Sequence, residues 1–353
     1  MKKWENNIRK VVPYVPGEQP KKQRMIKLNT NENPYPPAPG VEKAIREFDV
    51  DRLRLYPDPK IERLVHAIAK NYHLEDEQVF VGVGSDDVLA MIFMTFFNGK
   101  DPILFPDITY SFYDVWADML RIPYETVPLD ENLQIRLDDY KRVNGGVIFP
   151  NPNAPTGELI SLEKVEEIVS ANQDVIVVVD EAYIDFGGES ALSLIDKYDN
   201  LLVVQTFSKS RSMAGARIGY AMGNKILIKY LNDVKYSFNS YTMDSVTIET
   251  GVAAINDKEY FEETRAKIIE VREWTKKELA KLGFVFGDSM SNFIFASHPK
   301  YSAEDLFHAL RTQDIYVRHF SKPERIKNYL RISIGTKEEM VIFLGFLKEY
   351  INQ

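Results

Sequence analysis

The sequence predicts an α/β protein: a doubly wound domain whose mostly parallel sheet is covered by helices, plus a smaller α+β domain. Three observations predict it. Strand-like runs such as VIVVVD (175–180) and LLVVQT (201–206) are apolar throughout instead of alternating, which is the mark of burial on both faces. From Gln78 to Gly223 such runs alternate with helix-patterned segments, as βαβ units do. Beyond Asn256 the chain changes character, to one long charged helix followed by short strands.

Residues 1–40 are rich in proline and asparagine and end in LNTNENPYPPAPG, so they read as an extended arm with turns, because X-Pro steps disfavour helix. A helix is predicted at Gly40–Phe48, a break at LYPDP, and an amphipathic helix around Ile61–Tyr72. QVFVGVG is then a strand and SDDVLAMIFMTFF a helix opened by Ser85 and Asp86. PILFPD, GGVIFPNP, DVIVVVD, NLLVVQTF and ARIGYAMG are further strands, with helices at YSFYDVWADML and SLEKVEEIVSAN. The helix EYFEETRAKIIEVREWTKKELAKLG leads to short strands FIFA, IYVRHF and YLRISIG and a last helix. The expected division is an arm and part of the smaller domain over 1–46, a large domain over 47–255 and the rest of the smaller domain over 256–353.

Composition narrows the function classes. A net charge of -8 argues against a general nucleic-acid binder, which needs a basic face to displace counterions from phosphates. With no cysteine there are no disulfides, thiolate metal sites or cysteine nucleophiles, and a reducing cytoplasm fits. The opening MKKWENNIRKVVPYVPGEQPKK carries charges where an export signal needs an apolar core. The longest apolar run, Val88–Phe97, is too short to span a membrane. The five histidines show no metal spacing, so no metal is expected. VGVGSDD starts like a dinucleotide fingerprint, but Asp87 stands at the third glycine position.

The chemistry is expected at the carboxyl ends of the parallel strands, where open α/β sheets bind ligands. QVFVGVG delivers Gly84, Ser85 and Asp86 to a helix N-terminus suited to a phosphate. Tyr110, Asn153, Asp180 and Tyr183 follow the next strands, and NLLVVQTFSKSRSMAGARIGY delivers Thr206, Ser208, Lys209 and Arg217. A lysine after a buried strand is costly unless paired or neutralised. In a tuned pocket its amine condenses with an aldehyde. Asp180 closes an otherwise apolar strand and calls for a cation such as a protonated ring nitrogen. Ser208, Arg217 and the helix start at Ser85 can share a phosphate. An aldehyde, a basic ring nitrogen and a phosphate on one small molecule describe pyridoxal 5'-phosphate.

LNTNENPYPP, RLYPDP, GVGSDDVL, NPNAPTG, VVVDEAYIDF, TFSKSRSMAGARIGY and YLRISIGT stand in the order in which a known family carries its motifs, from residue 28 to 336. With them the chain resembles the fold-type I, aspartate-aminotransferase-like enzymes, and among these most nearly the histidinol-phosphate aminotransferases. The resemblance implies a seven-stranded large-domain sheet. It implies that Lys209 binds the cofactor covalently and moves the substrate proton, and that Asp180 keeps the ring nitrogen protonated. Asn153 and Tyr183 would hydrogen-bond the ring's phenolic oxygen and Tyr110 would stack on the ring. Gly84, Ser85, Asp86, Thr206, Ser208 and Arg217 would form the phosphate cup. Tyr56 would reach the neighbouring subunit's cofactor, which makes a homodimer the working unit. Arg331 would hold the substrate anion, with Tyr14, Asn33 and Arg318 at a second anion site. The implied reaction exchanges an amino group between L-histidinol phosphate and 2-oxoglutarate, with glutamate on the other side. Aromatic amino acid transamination, decarboxylation of a phosphorylated amino acid and a non-catalytic sensor on the same fold are the alternatives. Departures from the family pattern are Val83, Ala154 and KSRSMAG, where Arg211 adds a charge beside the lysine and could bear on substrate choice.

Overall fold

A computed structural model describes residues 2–22 and 24–352. In chain order its strands and helices are β1 (Ile26–Leu28), α1 (Pro39–Arg46), α2 (Glu62–Tyr72), β2 (Val79–Gly82), α3 (Ser85–Phe96), β3 (Ile103–Pro106), α4 (Tyr113–Leu120), β4 (Tyr124–Val127), β5 (Val147–Pro150), α5 (Leu162–Ala171), β6 (Val177–Asp180), β7 (Leu201–Thr206) and β8 (Gly219–Gly223). They continue with α6 (Lys225–Phe238), α7 (Ser245–Asn256), α8 (Lys258–Lys281), β9 (Val285–Phe286), β10 (Phe293–Ser297), α9 (Ala303–Thr312), β11 (Ile315–His319), β12 (Leu330–Ser333) and α10 (Lys337–Ile351).

The uniformly apolar runs do become buried strands. β5, β6 and β7 are buried along their whole length. They sit inside a seven-stranded sheet of order β2-β8-β7-β6-β5-β3-β4. Alternate residues feed two separate cores. Val177 and Val179 join Leu64, Ile168 and Ile255, from α2, α5 and α7. Val178 joins Leu89, Trp116 and Leu231, from α3, α4 and α6. A fully buried valine contributes roughly 1.5–3 kcal/mol, so a polar residue in this layer is retained against a steep cost.

All pairings in this sheet are parallel except those of β8, which runs antiparallel to β7 and β2. The cause is the link from Thr206 to Gly219, which holds one short 3-10 turn at Ala214–Ala216 and no crossover helix; a parallel return needs such a crossover. The sequence reading missed β4, an edge strand whose two middle residues, Glu125 and Thr126, are exposed. It also passed over α6, α7, α9 and the short β1 and β9.

The second sheet has order β1-β11-β12-β10-β9. β1 pairs in parallel with β11, so this part of the arm is held by a strand from the far end of the chain. The other pairings are antiparallel. Among the described residues no helix is long and apolar enough to cross a membrane, and no group of side chains is arranged to hold a metal ion.

Candidate active site

The carboxyl ends of β2, β5, β6 and β7 gather most of the residues named above. β2 ends in a glycine turn whose Gly84 has φ +86, a left-handed value that suits glycine. A Cβ there would collide with the Arg217 guanidinium. Gly219 is held by the same economy of space, since a Cβ on it would strike the backbone of Gly84 and Ser85. The first N–H groups of α3 therefore open beside an arginine, a setting suited to an anion. Arg217 Nη2 lies 3.1 Å from Asp86 Oδ2, and its Nη1 lies 3.5 Å from Ser208 Oγ. The Tyr110 hydroxyl donates to Asp86 Oδ1 at 2.6 Å. Thr206 supports this corner, donating to the Ile218 carbonyl at 3.1 Å and accepting the Ser208 N–H at 3.1 Å.

Asp180 follows Val178 on the face covered by α3 and α4. It is 4% exposed, and Oδ2 accepts the Tyr113 hydroxyl at 2.9 Å while Oδ1 accepts the Ala182 N–H at 3.3 Å. Burial pushes its carboxyl up to about 6, against the downward pull of the Tyr113 hydroxyl, the Ala182 N–H and the nearby Lys209. Such a carboxylate is returned to its charged form by a cationic N–H. Its neighbour Glu181 points to the other face of the sheet, held by Ser190 at 2.6 Å, the Ala191 N–H at 2.7 Å and Gln205 at 2.8 Å.

Lys209 Nζ reaches the Thr30 carbonyl at 3.3 Å and lies 5.7 Å from the centre of the Tyr183 ring. Tyr183 packs edge-on against Phe293 of the second sheet, with ring centres 5.1 Å apart. Arg331, on β12, donates to the Asn29 carbonyl at 3.2 Å and lies between the Phe293 and Phe320 rings. Among the described residues its Nε is buried without a protein partner, and burial lowers the guanidinium's pKa. Both features suit a group awaiting an anion. Tyr14 stacks on Phe112 at 4.1 Å and, with Tyr110 and Arg318, lines a cleft of about 1110 Å³.

Three residues, Asn33, Asn153 and Arg211, stand elsewhere than the sequence suggests. Asn33 donates to the Lys209 and Ser210 carbonyls at 3.1 and 3.2 Å, so its amide grips the backbone of the lysine segment instead of an anion site. Asn153 gives its amide hydrogens to the Ile108 carbonyl at 2.9 Å and Thr156 Oγ1 at 3.0 Å. Tyr56 is 82% exposed and stacks on Tyr241 at 4.6 Å, away from this chain's own cleft. Arg211 turns from Lys209, its guanidinium 4.2 Å from the Phe261 ring centre and 5.4 Å from that of Phe207. A buried guanidinium gains most from such faces when desolvated, which explains why the added charge leaves the cleft.

A family model described as aminotransferase class I and II matches residues 23–347. The chain belongs to the class I and II aminotransferases. This aminotransferase is 52% identical over 352 residues to the histidinol-phosphate aminotransferase of Clostridium botulinum strain Langeland, covering 100% of this chain and 99% of that one. The enzyme of the same name from Lactococcus lactis subsp. cremoris strain MG1363 is 52% identical over 349 residues, covering 99% and 98%. Among solved structures, the histidinol-phosphate aminotransferase of Clostridium acetobutylicum superposes with a TM-score of 0.85 at 25% identity, over 93% of this chain and 99% of that one. That of Sinorhizobium meliloti, solved in complex with pyridoxal-5'-phosphate, gives 0.84 at 25% identity over 93% and 91%.

The aminotransferase's donor set fits a pyridoxal phosphate. Lys209 offers an amine to an aldehyde, Asp180 a buried carboxylate to a ring N–H, and Arg217 with the start of α3 a cradle for a phosphate. The sequence reading missed Tyr113, Asn31 and the backbone of Asn29 and Thr30. A signal for Tyr113 was present: Asp180 in an apolar strand requires a donor, and Tyr113 stands three residues after Tyr110, which was already expected at the site.

Proposed function

We propose that this chain is a pyridoxal-phosphate-dependent aminotransferase acting on L-histidinol phosphate, in histidine biosynthesis, with 2-oxoglutarate as the amino acceptor. The observation that carries the reading is the 52% identity, over essentially the whole length of both chains, to histidinol-phosphate aminotransferases from two genera. The site supports it. When bound, the cofactor supplies an electron sink that makes the substrate's α-hydrogen acidic. Lys209 holds the cofactor and is the base placed to take and return that proton. Asp180 would hold the ring nitrogen, Arg217, Ser208 and the first turn of α3 would hold the cofactor phosphate, and Tyr183 would donate to the phenolic oxygen. Arg331 and Arg318, with Tyr14 at the cleft mouth, are placed to receive the substrate's phosphate, and glutamate's carboxylate uses the same cations.

The assembly we infer is a homodimer in the cytoplasm. Val50, Leu53, Leu55 and Tyr56, close together in the chain, and Phe238 are all exposed large apolar side chains, and exposed apolar surface of that kind is normally covered by a partner. The proposed division of the chain is a large domain over 47–255 and a smaller one built from 1–46 and 256–353.

The test compares single half reactions of cofactor-loaded protein with L-histidinol phosphate, phenylalanine and threonine phosphate, followed by the cofactor's absorbance. Histidinol phosphate is expected to convert the cofactor fastest. Faster conversion by phenylalanine would replace the substrate assignment and leave the aminotransferase chemistry standing.

A further inference from the structure

Asn31 sits at the centre of a buried junction between the two sheets. It is 1% exposed and its backbone has φ +56, a left-handed value that asparagine tolerates better than most residues. Its backbone N–H donates to Ser333 Oγ at 2.9 Å and its carbonyl accepts Asn292 Nδ2 at 3.0 Å. The Ser333 hydroxyl donates in turn to Asn31 Oδ1 at 3.0 Å. A serine has one hydrogen to give, and giving it to Oδ1 fixes which way the amide faces. The NH2 group is thereby turned to Tyr183, where Nδ2 lies 2.9 Å from the hydroxyl oxygen.

A tyrosine hydroxyl that accepts on one side has its own hydrogen free for the other. The groups that face Tyr183 are Lys209, Arg331 and Tyr113. The first two are cations and donate only. Among the described residues the Tyr183 hydroxyl donates to no protein acceptor. We propose that Asn31 is a positioning residue: by donating to the Tyr183 hydroxyl oxygen it aims that hydroxyl's hydrogen at the phenolic oxygen of the bound cofactor, and Ser333 on β12 sets the direction. The inference rests on the cofactor reading above. It also means that the second sheet, through Ser333 and Asn292, reaches a cofactor-facing group of the first.

A hydrogen bond donated to an ionised phenolic oxygen favours the charged form and lowers the pH at which the bound chromophore titrates. Asn31→Asp keeps the shape, tolerates the backbone and can only accept when ionised, so it draws the Tyr183 hydrogen away. The protein is loaded with pyridoxal phosphate and its absorption spectrum titrated with pH, for wild type, N31D, Y183F and the double variant. N31D is expected to raise the midpoint by about one pH unit, the scale of one charge-assisted hydrogen bond. Y183F is expected to raise it at least as far, and adding N31D to Y183F to move it no further. Asn31→Gly suits the positive φ and frees the hydroxyl to rotate, so a smaller shift of the same sign is expected.

An unmoved midpoint in N31D and N31G overturns the inference. So does a shift from N31D that persists in the Y183F background, since it would report the added charge and not the direction of the hydroxyl. Absence of the cofactor band from wild-type protein overturns the cofactor reading, and the inference with it; a band with an unmoved midpoint removes the inference alone.

Discussion

Replacing Tyr113 by phenylalanine removes one hydroxyl from Asp180 and leaves the surrounding packing of Phe93, Phe105 and Trp116 in place. The bond lost is 2.9 Å long and both partners are buried. A hydrogen bond to a charged group contributes about 1.5–3 kcal/mol and one between neutral groups about 0.5–1.5 kcal/mol. The difference, about 1 kcal/mol, corresponds to raising the Asp180 carboxyl by somewhat under one further pH unit. Asp180 already titrates above its ordinary value, at about 6, because of burial. A raised carboxyl in the folded state means that the folded protein binds the proton more tightly than the unfolded chain. Asp180 thus favours folding most at low pH, and its contribution falls as pH rises from about 4 through about 6. Y113F extends that loss upward in pH. Cofactor-free Y113F should lose about 1.5–3 kcal/mol at pH 8 and only about 0.5–1.5 kcal/mol at pH 4.5, read from urea midpoints by circular dichroism at fixed protein concentration. An equal loss at both pH values would refute the assignment of Tyr113 as the donor to an ionised Asp180.

Lys209→Ala should fold, judged by an unchanged far-ultraviolet spectrum, yet show no half reaction and no borohydride-stable label from pyridoxal phosphate. Arg217→Met removes a guanidinium from the phosphate cradle; at about 1.5–3 kcal/mol for a charge-assisted bond, cofactor Kd should rise roughly ten- to hundredfold in a fluorescence titration. Arg211→Leu should lower stability by about 1–3 kcal/mol through loss of its aromatic contacts. Its ratio of rates on histidinol phosphate and phenylalanine should match that of the wild type, since the side chain faces away from the cleft.

The strands that carry the chemistry were legible because they are buried on both faces, and nothing but a polar residue at their ends interrupts the apolar pattern. Asp180 and Lys209 could be picked out by that contrast. β4 could not, because YETV lies at the sheet edge, where Glu125 and Thr126 are exposed and the apolar pattern is diluted. The direction of β8 was hidden as well, since it depends on the absence of a crossover helix after Thr206 and not on any residue within ARIGYAMG. Arg211 misled because a sequence places it next to Lys209, while the backbone after the lysine turns its side chain to Phe207 and Phe261. Asn31 and Asn33 looked alike in NTNEN. Their partners come from 302 and 176 positions away, on Ser333 and Lys209, and no local pattern distinguishes them.

The short run Asn29–Asn33 touches Arg331, Lys209 and Tyr183, and is anchored by β1, which pairs with β11. During synthesis this run emerges early but has nothing to pair with until residues 315–333 have left the ribosome. The seven-stranded sheet, complete by Gly223, can fold in the meantime, so the catalytic cleft must be finished last, by a closure of very high contact order. A nascent chain stalled before Ile315 would hold Asp180 and Lys209 at the ends of their strands and still lack β11, which anchors the strap over the lysine.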